Sequence, residues 1–273
     1  NYFINAKDIC TIYDGMRKLD LDRRMKIKGL SNERADIFLA ALSAICTTIS
    51  YINSNDVYIS CSGMREGIMF EQIDPQLAIK PLSNVLEFSL NNNLGLFEEN
   101  AHHAQHVTKL ALSMFEQLRQ LHKLPNSYTR IVKTAGMLHD IGTRVKYYDH
   151  HKHSFYLILN ANIYGLSHRE HLMSAFVAAA HRKDELRKDY IKYSDILRSE
   201  DLDIINKLGV IIRIAESFDR AMAGAVQTVS CDILGDSVIM KTQTTTDVTL
   251  EIKDALTSGD LFKKAYGKNL VIL

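Results

Sequence analysis

Apolar residues recur at intervals of three and four along most of the chain, the spacing that gathers them on one face of an α-helix. The pattern runs through "NAKDICTIYDGMRKL" and, more strongly, "SNERADIFLAALSAICTTISYI", where Ser31 is a candidate N-cap. It breaks in "DVYISCSGMREGIMF", where Val57, Ile59 and Cys61 alternate as in a strand and Gly63 and Gly67 bracket a turn. A helix, a strand and a glycine turn together make an α/β fragment. Two of the three prolines then fall in "EQIDPQLAIKPLSN", and a boundary is expected there, after residue 73.

From Asn84 to about Gly224 the periodicity predicts successive helices, over "NVLEFSLNNN", "EENAHHAQHVTKLALSMFEQLRQLH", "SYTRIVKTAGMLHDI", "HSFYLILNA", "SHREHLMSAFVAAAHRKDELRKDYI" and "EDLDIINKLGVIIRIAESFDRAMAG". The fifth opens on a capping box, Ser167 with Glu170 three positions later. The tail changes period. "AVQTVSCDIL", "SVIMKTQTT" and "DVTLEIKDA" alternate as strands, with Gly235-Asp236 as a hairpin turn, before a short helix in "SGDLFKKAYG" and a last strand in "NLVIL". The expected fold is mainly α: an α/β remnant over 1–73, a helical domain over 74–224, and a small α/β extension over 225–273 packed on the helices.

With 273 residues the chain has ample length for a substantial core. Its 33 Lys+Arg nearly balance 32 Asp+Glu, so no global field or basic stripe favours nucleic acid or a membrane surface. The apolar runs are too short to span a bilayer, and no signal-peptide pattern opens the sequence. Cys10, Cys46, Cys61 and Cys231 lack Cys-x-x-Cys spacing, which suits reduced thiols in a cytoplasmic protein. The sequence begins at Asn1, in mid-pattern, and reads as a piece of a longer protein.

Candidate chemistry lies in the histidines. There are eleven, none before His102 and none after His181. His103, Val107, Leu110 and Met114 share one helical face, so His103 points inward. His139 ends the apolar run Ile131, Val132, Ala135 and Leu138, with Asp140 beside it; His181 ends the run Phe176, Val177 and Ala180. Glu216 follows Val210, Ile211, Ile214 and Ala215. Any one inward histidine is more often a hydrogen-bonded core residue than a ligand. Four ionisable groups delivered by four buried faces are costly unless paired or coordinated, and imidazole with carboxylate suits zinc, iron, manganese or nickel. His122 reads as a surface residue, and His168 and His171 as solvated or first-turn positions.

These positions resemble the HD superfamily of metal-dependent phosphohydrolases, whose signature is His, then His-Asp, then Asp in an all-helical domain. His103, the doublet His139-Asp140 and Glu216 in "RIAESFD" match it, with Glu216 departing from the expected Asp. The resemblance implies a second metal held by His153 and His181, with His150 or His151 as replacements for His153. A narrower resemblance covers the whole chain. "KGLSNERADIFLAALSAI", "SCSGMREGIMFEQI", "HHKHSFYLILNANIYGLSHRE" and "AAAHRK" are similar, in order and spacing, to the exopolyphosphatase/guanosine pentaphosphate phosphatase (Ppx/GppA) family.

That family implies two actin-like, ribonuclease H-like domains that cleave the terminal phosphoanhydride of polyphosphate or pppGpp, followed by an HD-like domain. Residues 1–73 would be the end of the second actin-like domain, and they contain no Asp-x-Gly-Ser phosphate loop. Gly29, Glu33, Arg34, Asp36, Gly63, Arg65, Glu66 and Gly67 remain from its motifs; Arg65 would contact anionic ligand, or join Arg34, Asp36 and Glu66 in a structural ion-pair network. The expected function is that of the C-terminal region of a phosphoanhydride hydrolase. Its HD domain would bind a divalent ion (zinc, manganese, iron, nickel or magnesium) and hydrolyse phosphate esters, with Arg144, Lys146, Lys152 and Arg182 neutralising phosphate. The alternative is a non-catalytic regulatory, substrate-binding or dimerisation module. Expected partners are a phosphorylated small molecule or polyphosphate, the actin-like domains of the same protein, and a second copy in a homodimer. No catalytic residue is assigned.

Overall fold

The computed structural model describes residues 2–60, 63–73, 84–97, 101–182 and 190–273. The chain forms two compact units, residues 1–81 and 82–273. The boundary expected after residue 73 falls in 74–83, outside the described residues, as does Cys61. Cys10, Cys46 and Cys231 are unbridged thiols.

In the first unit, strand β1 (Tyr2–Asn5) pairs antiparallel with β2 (Asp56–Ile59), Asn5 opposite Asp56. Asn5 caps the Ala6–Met16 helix, its Oδ1 accepting the Lys7 N–H at 2.9 Å. This helix packs on the Phe38–Ile52 helix through Ala6, Ile9, Met16, Leu42 and Ile49. Two expectations are corrected here. Ser31 precedes only a short 3₁₀ turn (Asn32–Arg34) and makes no side-chain cap bond; the long helix starts at Phe38. Gly67 lies inside the Met64–Ile73 helix rather than closing a turn. A helix-interior glycine costs about 1 kcal/mol, which its neighbours can override.

The second unit is a helical assembly around one apolar core. It comprises helices Val85–Phe97, Ala101–Gln117, Thr129–Leu138, His150–Asn160, His168–Ala179 and Ser199–Phe218, with a short helix at Arg119–His122. The capping box forms as the sequence predicts: Ser167 Oγ accepts the Glu170 N–H at 3.2 Å and Glu170 Oε2 accepts the Ser167 N–H at 2.8 Å. The periodicity carries that helix to Ile191, but it ends at Ala179: residues 180–182 form a turn, and 183–189 lie outside the described residues.

The tail adds a three-stranded sheet ordered β3-β4-β5, from Val226–Leu234, Ser237–Thr244 and Asn269–Ile272. β3 and β4 form the predicted hairpin, Leu234 opposite Ser237 with Gly235 at φ 52°, and β5 joins β4 in parallel. The strand expected in "DVTLEIKDA" is instead the Thr249–Leu256 helix. Val248, Ile252 and Ala255 turn inward at helical spacing, whereas Leu250 is 61% exposed. Asp247 accepts the Thr249 N–H at 3.0 Å and so starts the helix.

Candidate metal centre

Four elements of the second unit each bring an imidazole to one buried place. His103 comes from the first turn of the Ala101–Gln117 helix. His139 caps the Thr129–Leu138 helix, and Asp140 follows as the chain enters the 3₁₀ turn Ile141–Arg144. His150 opens the next helix, and His181 lies just past the end of the His168–Ala179 helix. Two glycines allow this convergence. A Cβ on Gly136 would come 2.7 Å from Thr108 Oγ1, so glycine lets the His103 and His139 helices approach closely. A Cβ on Gly142 would collide with the His150 carbonyl, and the Gly142 N–H donates to Ser154 Oγ at 2.9 Å, which holds the turn against the His150 helix.

The hydrogen bonds orient the rings. A carbonyl oxygen only accepts, so a ring nitrogen facing one must carry a proton. Nδ1 of His139 donates to Gly136 O at 2.8 Å, Nδ1 of His150 to Tyr147 O at 2.9 Å, and Nδ1 of His181 to Ala178 O. His103 Nδ1 donates to Asp219 Oδ2 at 2.8 Å, while Asp219 Oδ1 accepts the Gly224 N–H at 2.7 Å. Each Nε2 therefore turns inward. Those of His103 and His139 are buried with no hydrogen-bond partner among the described residues. Those of His150 and His181 lie 2.8 Å apart, at 3.1 and 3.4 Å from Asp140 Oδ1.

Protonation follows from the surroundings. Burial pushes His139 down to about 4, so it is neutral at pH 7 and offers a lone pair. Burial alone would raise Asp140, but His139, His150 and His181 hold it well below the usual carboxylate range. Burial likewise opposes the charged forms of His103 and Asp219, yet their mutual hydrogen bond leaves His103 above its ordinary value and Asp219 below.

Lone pairs and an ionised carboxylate oxygen crowded together repel unless a proton or a cation lies among them; against its burial, the hydrogen bond to Asp140 raises His150 above its ordinary value. His103, His139 and Asp140 offer ligand atoms within 4.8 Å of one another, as do Asp140, His150 and His181, with Asp140 common to both groups. That span is close to twice a metal–ligand bond of about 2.0–2.2 Å. Nδ1 bonds to carbonyls and a carboxylate are the outer contacts that fix ligating imidazoles. The donor set fits a divalent ion.

Not every expected residue joins. Glu216 is buried but belongs to neither group: its Oε1 accepts from Arg220 Nη1 at 2.9 Å, with Arg182 Nη2 at 3.8 Å. The acid beside His103 is Asp219, which ends the same "RIAESFD" stretch and is the residue type the HD signature expects. His150, not the half-buried His153, meets His181; His151 is buried nearby, pushed down to about 4 by burial, and belongs to neither group. Arg144 and Lys146 are exposed after the doublet, Lys152 pairs with Asp149 at 3.5 Å, and Arg182 is partly exposed beside Glu216. Arg65 is exposed on the Met64–Ile73 helix of the first unit.

His122 is a correction. It is 4% exposed and stacks on Phe115 at 4.3 Å, with Nε2 donating to Phe115 O and Nδ1 accepting the Leu124 N–H. Both nitrogens are satisfied locally, so a histidine can be buried there without a ligand role. His171 is likewise half-buried, bonded to Ile158 O at 2.6 Å.

Comparison with known proteins follows the same division. The profile of Ppx/GppA phosphatase, domain III, matches residues 87–265, and that of the Ppx/GppA phosphatase family matches residues 1–76. Similar curated proteins are named guanosine-5'-triphosphate,3'-diphosphate pyrophosphatase. The one from Pseudoalteromonas translucida is 24% identical over 172 residues, 61% of this chain and 33% of that protein. That of Aeromonas salmonicida is 23% identical over 171 residues, 62% and 33%. That of Photobacterium profundum is 25% identical over 156 residues, 57% and 30%. The match thus spans about a third of each relative's length. Among the described residues no helix is long and apolar enough to cross a membrane.

Proposed function

The chain belongs to the Ppx/GppA phosphatase family, and from that premise we propose that it is the C-terminal region of a phosphoanhydride hydrolase whose helical unit is an HD-type, metal-binding domain. Its substrate would be a phosphorylated nucleotide such as pppGpp, or polyphosphate, in keeping with the names of its relatives. The first unit would be the end of an actin-like domain.

One observation carries the metal reading: four imidazoles, each oriented through Nδ1, turn Nε2 toward the single carboxylate of Asp140. His103, His139 and Asp140 would hold one divalent ion, and Asp140, His150 and His181 a second. Zinc, manganese, iron, nickel and magnesium remain the candidates. A bound divalent ion would supply an acidified water and a Lewis acid for phosphoryl oxygen. The chain's own contributions are orientation and charge. Asp219 aims His103, the doublet turn sets Asp140 between the groups, and Arg144, Lys146, Lys152 and Arg182 lie on the basic stretches beside it. Elemental analysis of the purified chain tests this. Metal at or above one equivalent is expected, falling to background in Asp140→Ala; a wild-type chain at background after metal supplementation would sink the reading.

A further inference from the structure

Glu216 spends a buried carboxylate on two arginines. Its side chain is 8% exposed, whereas those of Arg220 and Arg182 are 30% and 31% exposed. Arg182 directly follows His181 and Arg220 directly follows Asp219, so both arginines start from backbone that carries residues of the cluster. The charge of Arg182 is felt at His150, and Arg220 lies within range of Tyr147 and Asp254. Two partly open guanidiniums thus meet at one carboxylate oxygen, on residues that directly follow His181 and Asp219.

An arginine offers five N–H donors in a rigid fork, and the Glu216 contacts engage only one nitrogen of each. Arg182 Nε is also buried with no hydrogen-bond partner among the described residues. Forked donors match pairs of phosphoryl oxygens, and partial burial strengthens such contacts while leaving room for an anion to enter. Helix stability alone asks for neither the second arginine nor a glutamate buried between them.

We infer that Arg182 and Arg220 form a two-arginine clamp for the phosphoryl group at the centre, and that Glu216 is the positioning residue that aims both. The inference rests on the phosphohydrolase reading above for what enters the centre. It gives Glu216 a role other than the ligation its sequence position suggests, and it brings in Arg220, which no motif singled out.

The test is calorimetric titration of the whole chain with inorganic phosphate, with metal content and thermal midpoint measured on every variant. Arg220→Ala and Arg182→Ala should each weaken phosphate binding about tenfold or more, as loss of a charge-assisted hydrogen bond does. Arg220→Lys should recover only part, because an ammonium has no fork. Glu216→Gln should also weaken binding, although it removes a negative charge; unchanged or tighter binding would overturn its positioning role. Metal content should stay at the wild-type level throughout. Phosphate affinity in Arg220→Ala and Arg182→Ala equal to wild type, with metal intact, would overturn the clamp and leave the metal reading standing. Arginine-dependent phosphate binding by a wild-type chain that holds no metal would sink the metal reading and support the clamp.

Discussion

The two units share the same helical spacing of apolar residues but bury very different amounts of them. Among the described residues of the first unit the core is a handful of side chains, Ala6, Ile9, Met16, Leu42 and Ile49, beside two paired strands. Tyr51 is 91% exposed, Met64 81% and Tyr58 70%. In residues 82–273 Leu90, Leu110, Met114, Phe115, Leu118, Ile131 and Leu138 are almost wholly enclosed. The polar cluster lies within that enclosure: His103, His139, Asp140, His181 and Asp219 are all buried. Burying ionisable groups costs several kcal/mol per group unless they are paired or coordinated. Only a unit with a deep apolar core offsets such a cost and still holds the groups in register. A two-stranded pair over a thin core is marginal by itself.

The largest expected contrast is in hydrogen exchange. Amides of the Ala101–Gln117 and Ser199–Phe218 helices should outlast those of the Ala6–Met16 helix by on the order of a thousandfold, which corresponds to about 4 kcal/mol of differential stability. Equal protection in both would break the comparison. Truncation should sharpen it. Leu110→Ala, at a position 1% exposed, should cost about 2–5 kcal/mol in the denaturation of the helical unit. Tyr51→Ala should change stability by no more than about 0.5 kcal/mol. A large loss at Tyr51 would mean that the first unit buries more than its core implies.

The smallest effect concerns His122, a buried polar group held by packing rather than by the cluster. His122→Gln should cost about 1–2 kcal/mol through its hydrogen bonds and its stack on Phe115, leaving metal content unchanged. Burial, with help from Arg119 and Lys207, lowers its pKa from 6.5. Below that value the unfolded chain takes up a proton that the folded chain resists. The stability His122 contributes is therefore present above about pH 6.5 and lost as pH falls through its lowered folded value. Unfolding midpoints measured from pH 7 downward should show a shallower decline in His122→Gln than in wild type. Part of the decline should remain, since His139 and His151 are lowered in the same sense. An identical slope in the two proteins would show that His122 is not the group titrating.

Much of this was legible from the residues in order. Apolar spacing determined the helices of the second unit and the inward turn of His103, and Ser167 with Glu170 marked a helix start to the residue. Gly235-Asp236 between alternating runs specified the hairpin, and an apolar run ending in His139-Asp140 specified a polar pair at a buried helix end. Periodicity stops at the face, however, and cannot say which partner that face meets. Glu216 and Asp219 lie three apart and share a side of the helix, so spacing cannot rank them. The helix ends at Phe218, which frees Asp219 to turn onto His103 and the Gly224 amide and leaves Glu216 to the arginines. His150, His151 and His153 differ only by where the doublet turn delivers the next helix, and Gly142 packing on that helix decides it. Alternation in "DVTLEIKDA" satisfies a strand and a helix almost equally, and the core that receives Val248, Ile252 and Ala255 selects the helix. A chain's own pattern encodes what must leave water; which groups then touch is a property of the packed whole.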